Sequence, residues 1–173
     1  MLFALACRAN AAEIAVSEFQ VKALFLFNFA KYVEWPADTF PSPASPLVIG
    51  IAGESRITAE AQKVVANRNI DGHPIVVRQL EKDHGPEFCH ILFINSSEKT
   101  RFPDLLDQLK AKSVLTVSDI ARFAQEGGVI GFVKKDDRIR LEINLAAAQR
   151  AHLQLSSKLL SVADTVRGQN QEP

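Results

Sequence analysis

Cysteine is nearly missing: the chain has two, Cys7 and Cys89, and neither belongs to a C-x-x-C pair. That excludes a disulfide framework and the usual structural zinc knuckle. The four histidines form no H-x-x-x-H pair. An excess charge of one sign is missing too, since 20 basic residues balance 20 acidic ones with no block of either. Neither a nucleic acid nor an anionic membrane surface is therefore an implied partner. No apolar run approaches the roughly eighteen residues a membrane span needs; Ala23 to Ala30 is short and flanked by Lys22 and Lys31. No internal repeat or low-complexity tract interrupts the chain.

What is present suits one globular domain. The 173 residues are 47% hydrophobic, enough for a core without covalent staples. The first residues differ from the rest: MLFALACRANAA is apolar and ends in Ala9-Asn10-Ala11, a small-residue cleavage signature. Residues 1–11 read as a signal peptide cleaved near Ala11, truncated because its positively charged start is lacking. Two rivals are a lipoprotein box, Ala4-Leu5-Ala6-Cys7, and an ordinary cytosolic N-terminus. Cleavage would leave Cys89 as the sole cysteine, with no intramolecular disulfide. The domain is expected over 12–167, with a frayed tail over 168–173.

Hydrophobic periodicity organises the interior. Ser17 to Trp35 reads as a helix capped by Ser17, with Val21, Phe25, Phe29 and Val33 at i+4 spacing, stopped by Pro36. Four prolines between 36 and 46 mark an extended connector. Leu47–Ala52 and Cys89–Ile94 are continuous apolar runs, as for strands covered on both faces. Pro74–Leu80 and Ser113–Val117 read as strands, Ser55–Asn67 and Phe102–Lys112 as helices. Ser118 is expected to cap a short helix, Asp119–Gln125. Val129–Val133 and the alternating Ile139–Ile143 flank a polar turn, Lys134 to Asp137. Asn144 can cap a last helix, Leu145–Val166. The expected fold is α/β: a three-layer sandwich with a central mixed sheet of about six strands and about five flanking helices.

Catalytic constellations are thin. Gly127-Gly128 with Gly131 suggests a dinucleotide loop, but these glycines follow a helix and precede a strand, the reverse of what phosphate binding needs. A turn is the simpler reading. Asp83, His84, Glu87, Cys89 and His90 crowd together, yet Cys89 and His90 open a strand and point to opposite faces, so no metal site is expected. His152 lies on the apolar seam of the last helix, where an interior side chain is the default. No serine has a spaced acid and base partner. No cofactor is implied. One feature exceeds a plain core: Phe19, Phe25, Phe27, Phe29, Tyr32 and Trp35 crowd one helix, more than a single sheet face covers, so a homodimer seam or binding patch is open.

A set of motifs in order carries a resemblance. Lys22-Ala23 with Phe25-Leu26-x-x-Phe29-x-x-Tyr32-x-x-Trp35-Pro36 comes first, then Cys89-His90-Ile91-Leu92-Phe93-Ile94. Phe123-x-x-x-Gly127-Gly128-x-Ile130, Ile143-Asn144 and Leu153-x-x-Ser156-Ser157-Lys158-Leu159-Leu160 follow. From about Phe19 to Val166 the chain resembles the YfiR family. The resemblance implies a dimer-forming α/β sandwich in the periplasm that binds the sensory region of an inner-membrane diguanylate cyclase and holds it inactive, lowering cyclic-di-GMP and biofilm output. It implies no enzyme. Disulfides tune that family, but here Cys89 matches one position alone and the pair near Gly127-Gly128 is missing, so internal redox control is not expected. A periplasmic small-molecule sensor is the alternative, with ligand at the carboxyl ends of the strands. The residues expected near a partner are Lys22, Tyr32 and Trp35 on the first helix, and Gln149, Arg150 and His152 on the last.

Overall fold

The computed structural model describes residues 17–81 and 86–168. The expected signal peptide and cleavage site, and the tail beyond Gly168, lie outside these residues, as do Asp83 and His84.

Helix α1 (Glu18–Tyr32) starts as its sequence dictates: Ser17 Oγ accepts from Gln20 N at 3.2 Å while Gln20 Oε1 accepts from Ser17 N at 2.9 Å. This reciprocal box satisfies two of the orphan donors at a helix start. The chain then forms β1 (Val33–Glu34), β2 (Leu47–Ala52), α2 (Ile57–Val65), β3 (Asn69–Ile70), β4 (His73–Leu80) and β5 (Ile91–Ile94). It continues as α3 (Phe102–Gln108), β6 (Leu115–Ser118), β7 (Ile130–Lys135), β8 (Arg138–Asn144), α4 (Leu145–Arg150), β9 (Gln154–Leu155), α5 (Ser157–Ser161) and β10 (Thr165–Arg167).

Eight strands form one mixed sheet in the order β10-β8-β7-β6-β5-β2-β4-β3. Neighbours from β4 to β7 are parallel, and β8 turns back antiparallel on β7. The hairpin turn is tight because Asp136 and Asp137 both take left-handed φ, 50° and 56°, the twist that two-residue β-hairpins favour. The expected six strands are all present; the two extra are the short edge strands β3 and β10. A separate ribbon, β1 with β9, was not foreseen.

Period-two alternation sorts the sheet residues between two helical layers. Ile49, Ile51, Ile91, Phe93, Leu115 and Val117 face α1 and α2, meeting Leu26, Phe29, Ile57 and Ala61. Ala52, Leu92, Ile94 and Val114 face the other way, against Phe102, Leu105 and Leu109 of α3 and the loop residues Ile120 and Phe123. The expected three-layer sandwich is what forms.

Two expected helices do not. Residues 121–127 are successive turns, with Arg122 at φ 65° interrupting any helical path; Ser118 nevertheless caps them, its Oγ accepting from Ile120 N at 2.9 Å. Gly128 shows why the segment closes there, since a Cβ on it would fall 2.0 Å from the Phe123 ring. The glycine pair is a packing device before a strand.

The long last helix is also broken. Asn144 caps α4 through Ala147 N at 3.0 Å, as expected, but the helix ends at Arg150. His152 adopts φ 56°, and Leu153 N reaches back to Ala148 O at 3.0 Å, a C-terminal closure of the Schellman kind. The next residues pair with β1, Val33 opposite Leu155 and Glu34 opposite Gln154. Ser156 then caps α5, its Oγ accepting from Leu159 N at 3.3 Å.

Candidate functional site

The ribbon between β1 and β9 is where distant parts of the chain meet. Ser156 N donates to Tyr32 O at 2.9 Å, fastening the end of α1 to the start of α5. The Tyr32 ring is half-buried and lies beneath two ammonium groups, Lys31 at 5.7 Å and Lys158 at 5.1 Å from its centroid. Tyr32, expected near a partner, thus meets Ser156 and Lys158 of the C-terminal segment.

Gln149 and Arg150 are exposed on α4. Arg150 stands on the wall of a groove of about 540 Å³ between α3 and α4. Its apolar lining includes Leu106, Leu109, Val114, Val129 and Ala147, and Lys110 and Lys112 stand on the same rim. Lys110 is neutralised by Asp107 at 2.8 Å, while Arg150 has no ion pair among the described residues. An apolar floor with an uncompensated cation at its lip suits an apolar side chain flanked by a carboxylate.

His152 is exposed, not the interior side chain its seam position suggests. The reason is the break described above: with α4 ended, the apolar seam stops and Leu153 takes the buried position in its place.

Lys22 is placed differently from the other five. Its side chain is almost wholly buried, with Nζ 2.8 Å from Asp119 Oδ2 and 2.6 Å from Glu18 Oε1. Burial works against the ammonium, but its hydrogen bonds to Asp119 and Glu18 outweigh desolvation and hold its pKa above the ordinary value. The Glu18 carboxyl is lowered in turn by the hydrogen bond from Lys22. Lys22 therefore ties α1 to the loop after β6.

Trp35 turns away from the ribbon toward the sheet. Its indole N–H donates to His90 O at 3.3 Å, and its ring meets the His90 imidazole edge-on. Phe40 stacks between two imidazoles, 4.0 Å from His73 and 4.4 Å from His90 between centroids. Val48 N donates to His90 Nδ1 at 3.0 Å, which places the proton of neutral His90 on Nε2, where no acceptor is present. This column pins the proline-rich connector to the sheet, and burial first, then His73, lowers the His90 pKa to about 4. Spacing gave no hint of it, because Phe40 sits in the connector while His73 opens β4 and His90 precedes β5.

A second concavity, about 890 Å³, opens at the carboxyl ends of β2, β4 and β5, between Gly53, Ser55, Gln79, Ser97, Glu98 and Arg101. Gly53 is required there: its φ is 86° and a Cβ would lie 2.5 Å from Ser97 Oγ. Glu98 is buried and held by Arg101 at 2.8 Å. Cys89 is a buried thiol beneath Gly50. Among the described residues, no three metal-ligating side chains gather, and no helix is long and apolar enough to cross a membrane.

Comparisons with known proteins agree with this architecture. A conserved domain protein from Vibrio cholerae O1 biovar El Tor superposes with a TM-score of 0.58 at 10% identity, over 87% of this chain and 60% of that one. An ABC domain in complex with L-Trp from Streptococcus pneumoniae matches 69% of this chain and 54% of its own, at 12% identity and a TM-score of 0.47. The chain thus spans 60% or less of the length of either structure, and the former supports the fold alone. No curated protein matches the chain. The family model described as YfiR/HmsC-like matches residues 19–164, nearly all of the folded part. The chain belongs to the YfiR/HmsC-like family.

Proposed function

We propose that this protein is a periplasmic regulator that docks on the sensory region of an inner-membrane signalling enzyme, a diguanylate cyclase, and restrains it. The observation that carries the reading is the family match over residues 19–164, a family of regulators rather than catalysts. The site chemistry is compatible with it: polar side chains are spread over separate surfaces, whereas an apolar groove with Arg150 at its lip offers a place for a protein segment. Tyr32, Gln149, Arg150 and His152 border or approach the docking face in this reading, Trp35 anchors the chain just beyond α1, and Lys22 fixes the helix that ends at Tyr32. A homodimer is part of the same proposal. The test is direct. The mature protein should bind the purified sensory domain of a cyclase from its own source and lower cyclic-di-GMP output when the two are expressed together. Unchanged output, with both proteins folded and exported, rejects the reading.

The crevice at the carboxyl ends of β2, β4 and β5 favours a second reading, a small-molecule sensor. A thermal-shift panel of small aromatic and polar metabolites separates the two. Stabilisation that grows with ligand concentration, and that is lost in Gly53→Val, supports the sensor.

A further inference from the structure

On the outer side of α1, three cations and two aromatic rings alternate. Arg68, just after α2, lies over the Phe27 ring at 4.7 Å. Lys31 reaches both rings, at 5.9 Å from the Phe27 centroid and 5.7 Å from that of Tyr32. Lys158, on α5, lies over Tyr32 at 5.1 Å. The order across the surface is therefore Arg68, Phe27, Lys31, Tyr32, Lys158. All three cations are exposed and both rings are half-buried. None of the three has a carboxylate within ion-pair distance among the described residues. One turn back on the same face of α1, Leu24 is 45% exposed.

A solvated basic surface ordinarily scatters its cations or interleaves them with acids. Here the protein as a whole has equal numbers of basic and acidic residues, yet this strip holds three cations with no acid at ion-pair distance among the described residues. Each cation is anchored over an aromatic face, which limits the side-chain freedom a partner must freeze. Two helices, α1 and α5, and the loop after α2 supply the strip, so its geometry depends on the fold and not on one flexible segment.

We infer that this ladder is a docking strip for an acidic segment of a protein partner, one that places carboxylates against Arg68, Lys31 and Lys158 and an aliphatic side chain against Leu24. It deepens the docking function proposed above by naming the charge of the segment that is read. A lipid surface fits less well. Three basic residues are fewer than the cluster that holds a protein on an anionic bilayer, and Leu24 is the single large apolar side chain of the strip open to insertion.

The experiment uses the mature protein and a fluorescein-labelled peptide of about ten residues, alternating glutamate and leucine, followed by anisotropy. The wild type should bind, and binding should weaken at least tenfold as salt rises from about 0.05 to about 0.5 M. The triple variant Lys31→Gln, Arg68→Gln, Lys158→Gln should lose at least tenfold at low salt. A variant with Lys63→Gln, Lys99→Gln and Lys134→Gln, which removes three exposed cations elsewhere, should bind like the wild type. Equal binding by the two triple variants overturns the inference. So does retention of the wild type on phosphatidylglycerol vesicles without affinity for the peptide, which would assign the strip to lipid. Measuring the cyclase sensory domain in parallel keeps the claims apart. Sensory-domain binding that survives loss of the ladder rejects the strip and leaves the regulator standing. Ladder-dependent peptide binding without sensory-domain binding does the reverse.

Discussion

At the scale of single residues, two buried polar groups carry measurable consequences. His90 is neutral because burial lowers its pKa from 6.5 to about 4. Among the described residues the groups that face it are Phe40, Trp35, His73 and the Val48 N–H, none of them an acid. A depressed histidine pKa means the unfolded chain takes up a proton before the folded one does. Stability is therefore unaffected above about pH 6.5 and falls as pH drops from there toward 4, by on the order of 3 kcal/mol from this group. Protonating Nδ1 would also cost the Val48 hydrogen bond. Urea denaturation between pH 8 and 4 should show this limb, and His90→Gln should flatten it; a limb of equal depth in the variant assigns the acid sensitivity elsewhere. The lone tryptophan, Trp35, gives a local signal. Its emission should change over the same interval before global unfolding.

Lys22 makes the opposite kind of statement. Removing one member of a buried ion cluster strands the others, so Lys22→Ala should destabilise by about 3 kcal/mol. Asp119 Oδ1 already lacks a hydrogen-bond partner, and without Lys22 the carboxylate would sit in the protein with no cation. The double variant Lys22→Met, Asp119→Leu should recover much of that loss, because it removes both charges while keeping volume. A chevron or equilibrium urea series on the single and double variants decides it. If Lys22→Ala unfolds at the wild-type midpoint, the cluster is only a surface pair.

At the scale of elements, the sequence was most readable where burial is symmetric. Continuous apolar runs such as Leu47–Ala52 and Cys89–Ile94 specify central strands with helices on both sides; the first became β2 in full and the second became β5 over Ile91–Ile94. The break after Arg150 was not readable locally. Leu145 to Val166 satisfies helical spacing, and what overrides it is the pairing of Gln154 and Leu155 with Glu34 and Val33, supplied from the other end of the chain. The one local cue is Ser156-Ser157, a cap signature lying inside the apparent helical run. The same non-locality hid most of the candidate surface, since Tyr32 meets Lys158, and Phe40 meets His73 and His90, only after the sheet has formed. A substitution tests the break. Glycine inside a helix costs about 1 kcal/mol, but at a left-handed C-terminal position it is preferred. His152→Gly should thus leave stability unchanged or raise it by several tenths of a kcal/mol, read from thermal melting. A loss near 1 kcal/mol would place residue 152 within a continuous helix.

At the scale of the whole molecule, the groove runs between α3 and α4 while the ladder is built on α1, and α1 and α3 cover opposite faces of the sheet. Arg150 is the residue that separates binding from folding. It is exposed, it is unpaired among the described residues, and it lines the groove without supporting the core. Surface substitutions of that kind move stability by no more than about 0.5 kcal/mol. Reversing the charge at the lip of an apolar groove, however, turns an attraction for a flanking carboxylate into a repulsion, with its effect felt mainly in the association rate. Arg150→Glu should therefore melt within about 2 °C of the wild type. It should bind the cyclase sensory domain roughly tenfold more weakly, with the loss shrinking as salt rises. Surface plasmon resonance at two salt concentrations resolves the rates. A folded Arg150→Glu protein that associates at the wild-type rate would move the docking face away from α4, and because the ladder variants are measured with the same sensory domain, it would also say whether α1 carries the contact alone.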